Sequence, residues 1–168
     1  MPTRMLHSEK TALEALQMRL PSRFKHAVLA DRPDIQDDVE HIGVEVTAGV
    51  RDDLRQLLVQ EPTKQKRRAL ARMGIATHYR FNAQNDQRAL ASGALNDVAS
   101  AIQRKAEKFA QYRHFKENDL FIHVMPDARA EVDPVQQHLA GVPYDKIYLW
   151  DGHTLVEINV HTAVVKRY

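Results

Sequence analysis

The chain contains no cysteine among its 168 residues. That absence removes disulfides, thiolate nucleophiles and cysteine-ligated zinc together. Glycine is sparse at six residues, and none forms a G-x-G or Walker pattern. A glycine-rich phosphate cradle is therefore excluded, and no serine-nucleophile elbow is present. No apolar run reaches the roughly 18 residues that a membrane span requires. Residues 1 to 10 lack the hydrophobic centre of a signal peptide, so the expected location is cytoplasmic. A strong excess of one charge is missing too. The 24 Lys and Arg against 22 Asp and Glu leave a net +2, too little by itself to argue for nucleic-acid binding. Nine histidines are present, but no His-Glu-x-x-His and no histidine pair at i and i+4, so a histidine metal site is not expected.

What is present suits an ordinary folded domain. Hydrophobic residues make up 43% and charged residues 27%, and this length favours one domain. The charge is unevenly placed. Asp31, Asp34, Asp37, Asp38, Glu40, Glu45, Asp52, Asp53 and Glu61 cluster early. They are followed by Lys64, Lys66, Arg67, Arg68 and Arg72 with no acid between. An acidic pocket beside a basic rim is what a metal-dependent enzyme acting on a polyanion needs, although a basic run also serves as a solvated helix face.

Local pattern predicts alternating elements. Ser8 to Leu20 reads as a capped amphipathic helix ended by Pro21, and residues 24 to 30 as a strand. Residues 31 to 34 form a turn or strand entrance. Asp37, Asp38 and Glu40 read as a solvated loop, with Asp38 an alternative site acid and Gln36 a candidate substrate contact. Residues 42 to 47 are the clearest strand, with Ile42, Val44 and Val46 on one face and Gly43 and Glu45 on the other. Residues 50 to 60 and 64 to 73 read as helices, the second basic, and 76 to 81 as a short strand. Asn96 or Asp97 caps a long helix to residue 114, and 119 to 125 is a strand. A short helix over 129 to 140 follows, then a hairpin over 145 to 160 turning at Asp151-Gly152. The expected fold is a single α/β domain of three layers, with a central mixed sheet flanked by helices and residues 50 to 95 as a helical insertion.

Within that frame, Glu45 is the residue that asks for an explanation. A carboxylate inside an apolar strand needs a charge partner to be buried. A hard cation shared with Asp34 would supply one, and Gly43 on the same face leaves room for a ligand or a metal-bound water. Lys105 raises the same question, because the stripe Val98, Ile102, Lys105, Phe109, Tyr112 places it on the apolar face of its helix. It either reaches the acids or snorkels to water. Lys108 lies about 60° from that stripe. His123, in a strand, reads as a satisfied core or edge histidine. Tyr148 and Trp150 offer either a base-stacking surface or core packing.

Pro33-Asp34, followed by Glu45-Val46-Thr47 on the next strand, resembles the core motif of the PD-(D/E)XK nuclease superfamily. The order helix, strand, acid-bearing strand, helix, strand over roughly residues 8 to 126 is similar as well. The resemblance implies a restriction-endonuclease-like fold that hydrolyses nucleic-acid phosphodiesters with Mg2+ or Mn2+. Asp34, Glu45 and the Val46 carbonyl would be the metal ligands, and Glu9 an accessory acid on the first helix. The sequence departs from the motif at Thr47, where the family has a lysine. Either the lysine function has moved, with Lys105 or alternatively Lys108 supplying it, or catalysis is lost. In the first case Lys64, Lys66, Arg67, Arg68 and Arg72 hold backbone phosphates, with DNA favoured over RNA. The second leaves an inactive nuclease-like fold that binds nucleic acid or a protein. A third reading is an assembly subunit that pairs through residues 145 to 160, and a homodimer is compatible with all three.

Overall fold

The computed structural model of the chain describes residues 3–50 and 95–168, apart from the side chains of residues 3–6. The helices expected over 50 to 60 and 64 to 73 and the strand over 76 to 81 lie outside the described residues. So do Lys64, Lys66, Arg67, Arg68 and Arg72.

The described chain is a mixed α/β structure. Helix α1 (Thr3–Arg19) and the short α2 (Pro21–Phe24) precede β1 (Val28–Leu29), β2 (Ile35–Asp37) and β3 (Ile42–Ala48). Helix α3 (Val98–Lys108) tightens into a 3₁₀ turn (Phe109–Gln111) and leads to β4 (Glu117–His123). A 3₁₀ turn (Ala128–Glu131) and α4 (Val132–Gln136) lead to β5 (Lys146–Trp150), β6 (Leu155–Asn159) and β7 (Val165–Arg167). The seven strands lie in sequence order in one sheet. Strand β4 runs parallel to β3 and β5, and the other pairings are antiparallel. The two parallel connections carry α3 and α4, as crossovers in a mixed sheet require.

Alternation along the strands divides the core in two. Ile42, Val44, Val46, Phe121, Tyr148 and Trp150 pack against Ala12, Ala15 and Leu16 of α1 and Phe24 of α2. Leu120, Ile122, Ile147, Leu149, Val156 and Ile158 pack on the opposite face with Val98 and Ile102 of α3 and Val135 of α4. The sheet is thus sandwiched between helices, and its central strands read as near-continuous apolar runs because both faces are covered. Among the described residues no helix is long and apolar enough to cross a membrane.

Several local expectations are corrected. Helix α1 starts at Thr3, so Ser8 sits inside it and does not cap it. Residues 24 to 30 are not one strand. Pro21 opens a new helical turn that ends at the buried Phe24, and only Val28–Leu29 is extended. Asp37 is not in a solvated loop; it is buried at the end of β2, and its Oδ1 accepts the N–H groups of Val39 and Glu40 at 2.9 and 2.8 Å. That satisfies the tight β2–β3 turn, while Asp38 and Glu40 are exposed. Tyr148 and Trp150 are core residues and offer no stacking surface. A further edge strand, β7, follows the expected hairpin.

Strand β3 and helix α3 are tied together where the undescribed stretch leaves and returns. Val50 bridges Asn96, and the Asp97 N–H donates to the Gly49 carbonyl at 2.7 Å. Asp97, one of the two expected caps, accepts the Ser100 N–H at 3.2 Å and starts α3. Gly49 is required here, since a Cβ would fall 2.6 Å from Ile122. This junction aims the middle of α3 at the acid-bearing strand.

Candidate active site

The β2–β3 register brings the acids together. Ile35 pairs with Val44, Gln36 with Gly43 and Asp37 with Ile42. Continued by one residue, this register sets Asp34 opposite Glu45. Asp34 is fixed there by its Oδ2, which accepts the Val46 N–H at 2.8 Å. The engagement of Val46 that the structure shows is thus through its N–H, not its carbonyl. Glu45 is 5% exposed and points to the α3 side of the sheet. There the Lys105 ammonium donates to its Oε1 at 2.6 Å. The other oxygen, Glu45 Oε2, is buried and makes no hydrogen bond. From α1 comes Glu9, 4% exposed. It lies on one helix face with Ala12 and Leu16, and its carboxyl is in hydrogen-bonding reach of Asp34. Two carboxyl groups can share such a bond only when one of them carries a proton.

Glu9, Asp34, Glu45 and Lys105 therefore form one cluster assembled from α1, the entrance to β2, β3 and α3. Thr47 lies half-buried on β3, one alternation beyond Glu45 on the same face. Lys108 is exposed at the end of α3, while Lys105 is the lysine that meets the acids. The apolar stripe that singled out Lys105 was informative, because the half-buried lysine turns inward to a charge partner. The open space expected beside Gly43 is not there. A Cβ at this position would fall 2.5 Å from the Phe115 ring and 2.8 Å from Pro33. Gly43 makes room for Phe115.

Electrostatics follow from the burial and the surplus of acid. Burial raises the pKa of Asp34 to about 6, with the Glu9 charge adding to the rise and the Val46 N–H and Lys105 opposing it. Burial, and then the neighbouring Asp34 charge, raise Glu45 against the pull of Lys105. Glu9 is also raised, chiefly by burial. Burial disfavours the Lys105 ammonium, yet Glu45 and the surrounding charges hold it above its usual range, so it stays protonated.

Two tyrosines missed as site residues belong to this cluster. Tyr112 has its ring 6.0 Å from the Lys105 ammonium, and its hydroxyl faces Glu45. Tyr144, buried among the α3-side core residues, donates its hydroxyl hydrogen to the Lys105 carbonyl at 3.1 Å. Tyr112 was visible as part of the α3 stripe. Tyr144 stands in no motif, so only the fold reveals it. His123 is accounted for as a structural residue, with Nε2 3.0 Å from the Ser8 carbonyl and burial lowering its pKa. Gln36 and Asp38 are both engaged by Arg113, at 3.0 and 2.8 Å.

As a donor set, the cluster offers the carboxylate oxygens that hard cations take. One of them, Glu45 Oε2, is buried without a hydrogen-bond partner, and the Glu9 and Asp34 carboxyls lie within hydrogen-bonding reach of each other. Among the described residues no group of three or more Asp, Glu or His side chains is placed to hold a metal ion. Glu45 is engaged by Lys105 at 2.6 Å, so a cation would have to compete with that ammonium for its oxygens. Comparison with family models, with curated proteins and with solved structures finds no match to this chain.

Proposed function

We propose that this chain is a metal-dependent nuclease of the PD-(D/E)XK type, with Mg2+ or Mn2+ as cofactor, and that it hydrolyses nucleic-acid phosphodiester bonds. The observation that carries this reading is the Lys105–Glu45 contact of 2.6 Å, made across 60 residues of sequence beside Asp34 and Glu9. It supplies, from a helix, the cation that Thr47 does not. Asp34 and Glu45 would hold the metal, with the Val46 carbonyl as a further oxygen and Glu9 as accessory acid. When bound, such an ion polarises a phosphoryl oxygen and lowers the pKa of a water. Lys105 remains an ammonium next to the acids, so its part is electrostatic: it offsets the negative charge that grows on the phosphoryl oxygens. It is not available as a base while Glu45 holds its proton in place. Thr47 can hydrogen-bond a water but carries no charge.

The restriction-endonuclease-like assignment of the fold belongs to the same proposal. It is supported by the mixed sheet, by an acid at the β2 entrance and by a second acid on β3. The reading includes nucleic acid as partner, DNA before RNA. Lys64, Lys66, Arg67, Arg68 and Arg72 would be its phosphate contacts, and the homodimer and the cytoplasmic location remain part of it.

A catalytically inactive nuclease-like module is the second reading. Two observations favour it: Thr47 stands in the lysine position, and Glu45 is closed in with Lys105. Incubating the protein with single- and double-stranded DNA and RNA, with magnesium and with manganese, separates the two. The nuclease reading predicts cleavage that Glu45→Gln and Lys105→Met each reduce by about a hundredfold or more, with nucleic-acid binding retained. Salt-dependent binding without cleavage in either metal would establish the module instead.

A further inference from the structure

We propose that Tyr112 and Tyr144 are positioning residues that hold Lys105 by its two ends, the ammonium and the backbone, and so set its place against Glu45. This inference rests on the site reading above and concerns how that site keeps its cation. A lysine side chain has many rotamers and a strongly hydrated head, so an apolar helix face does not by itself fix where the ammonium lies. The helix end is equally loose in principle, because the last carbonyls of a helix lack intrahelical partners.

Both freedoms are removed at Lys105. At the C-terminus of α3 the Phe109 N–H donates to Ala106 O and not to Lys105 O. The Lys105 carbonyl is thereby released from the α-helical ladder, and the Tyr144 hydroxyl occupies it at 3.1 Å. Tyr144 is itself immobile. It is 2% exposed, its ring meets Phe109 edge-on at 5.2 Å, and the next residue is tied to β4 through the Asp145 N–H to Asn118 O bond of 2.7 Å. The same 3₁₀ turn that frees the carbonyl folds the chain back on itself. The Tyr112 N–H donates to Phe109 O at 3.2 Å, and the Tyr112 ring arrives 6.0 Å from the Lys105 ammonium. An aromatic face attracts an ammonium, and the Tyr112 hydroxyl meanwhile faces Glu45. One tyrosine therefore anchors the backbone of Lys105 to the β5 side of the sheet, and the other braces its head over the carboxylate. A tyrosine serving only as core filler would need neither contact.

The test uses the full chain and two readouts. The first is the Lys105 ε-ammonium resonance in a ¹H–¹⁵N spectrum, identified by its loss in Lys105→Met and followed for exchange with water. The second is magnesium-dependent cleavage resolved into kcat and KM. In the wild type the ammonium resonance should be visible and slow to exchange. Tyr112→Ala should broaden it beyond detection, and Tyr144→Phe should speed its exchange severalfold. Each should lower kcat between about tenfold and a hundredfold while leaving KM within about twofold, as expected for a misplaced group that does not bind substrate. Tyr112→Phe, which keeps the ring, should retain the resonance. An unchanged resonance in folded Tyr112→Ala overturns the proposal, as does an equal loss of kcat and gain in KM. Should Tyr144→Phe fail to fold, the half-exposed Tyr112 position decides. If the wild type cleaves nothing, the function fails while the ammonium resonance still judges the brace.

Discussion

On the face of the sheet that α2 covers, Glu117, Asp119 and Glu157 sit among Arg23 and Lys146. At the β2–β3 end, Glu9, Asp34 and Glu45 meet Lys105. Both groups hold more acid than base, and both combine buried with half-buried charges, yet they dispose of the surplus differently. In the first, Glu117 is held by Arg23 and by Lys146 at 3.4 Å. Glu157 is held by Lys146 at 3.1 Å and by the Tyr168 hydroxyl at 2.9 Å. The excess falls on Asp119, which has no exposed surface and whose pKa is pushed well above the usual carboxylate range by burial and then by Glu117. Arg23 reaches the Asp119 Oδ2 at 3.5 Å and so shares its guanidinium between Glu117 and Asp119. In the second group the excess falls on a Glu9–Asp34 pair whose Asp34 titrates at about 6, within reach of neutral pH. A negative surplus that a proton neutralises can equally be neutralised by a cation that takes the proton's place. On the function proposed above, it is an exchangeable surplus, and not buried charge alone, that distinguishes the second group from the first.

The comparison can be broken at either end. The largest expected effect is on chemistry. Glu45→Gln removes the proposed metal ligand but keeps the shape of the side chain, and should lower cleavage by about a hundredfold or more without loss of fold. Arg23→Met should leave the kcat of the folded protein untouched and instead lower stability by about 3 kcal/mol, because Asp119 and Glu117 lose their guanidinium in a mostly buried setting. Denaturant unfolding measures it, and a large drop in kcat at full stability would merge the two groups into one functional unit.

Acidity gives a smaller and more specific signature. The folded pKa of Asp34, about 6, lies above its ordinary 3.8, so the native state binds the extra proton. The stabilisation from this group is fully present below pH 3.8 and is lost as pH rises through 6. Asp34→Asn should remove that segment of the stability–pH curve and leave a protein more stable than wild type at neutral pH without metal. A curve of unchanged shape in the variant would mean that the proton resides elsewhere. At the surface, the exposed Arg113–Asp38 pair sets the lower limit. Asp38→Ala should change stability by no more than about 0.5 kcal/mol.

How much of this was legible in the sequence depends on what each residue had to reveal. Glu45 and Lys105 announced themselves by interrupting apolar patterns, because periodicity records which face is buried and a charge on that face needs a partner. Asp34 stood out as a second acid shortly before Glu45 and through the resemblance. Strand β2, whose register sets it opposite Glu45, was not legible, because its three residues run straight into a turn. The depth of Asp37 was not legible either, because an acid that caps its own turn looks the same in sequence as one in water. Gly43 misled for a related reason. A missing side chain shows that something approaches closely, but not that the visitor is Phe115, which comes from the far end of the next connection. The Arg23 network and Tyr144 are assembled from segments remote in sequence and carry no local pattern. Strand β1 was overextended because Pro21 turns the chain into a second helix, and tertiary packing of Phe24 against Tyr148 then outweighs strand propensity.

The central claim is that the Glu9–Asp34–Glu45 surplus is a cation site, and magnesium-dependent stability at neutral pH tests it most directly. Wild-type protein should gain about 2.7 kcal/mol when magnesium reaches a hundredfold over its dissociation constant. Asp34→Asn and Glu45→Gln should gain almost nothing, and Arg23→Met should gain as much as wild type. An equal response in wild type and Asp34→Asn, or none in wild type at any magnesium concentration, would contradict the account.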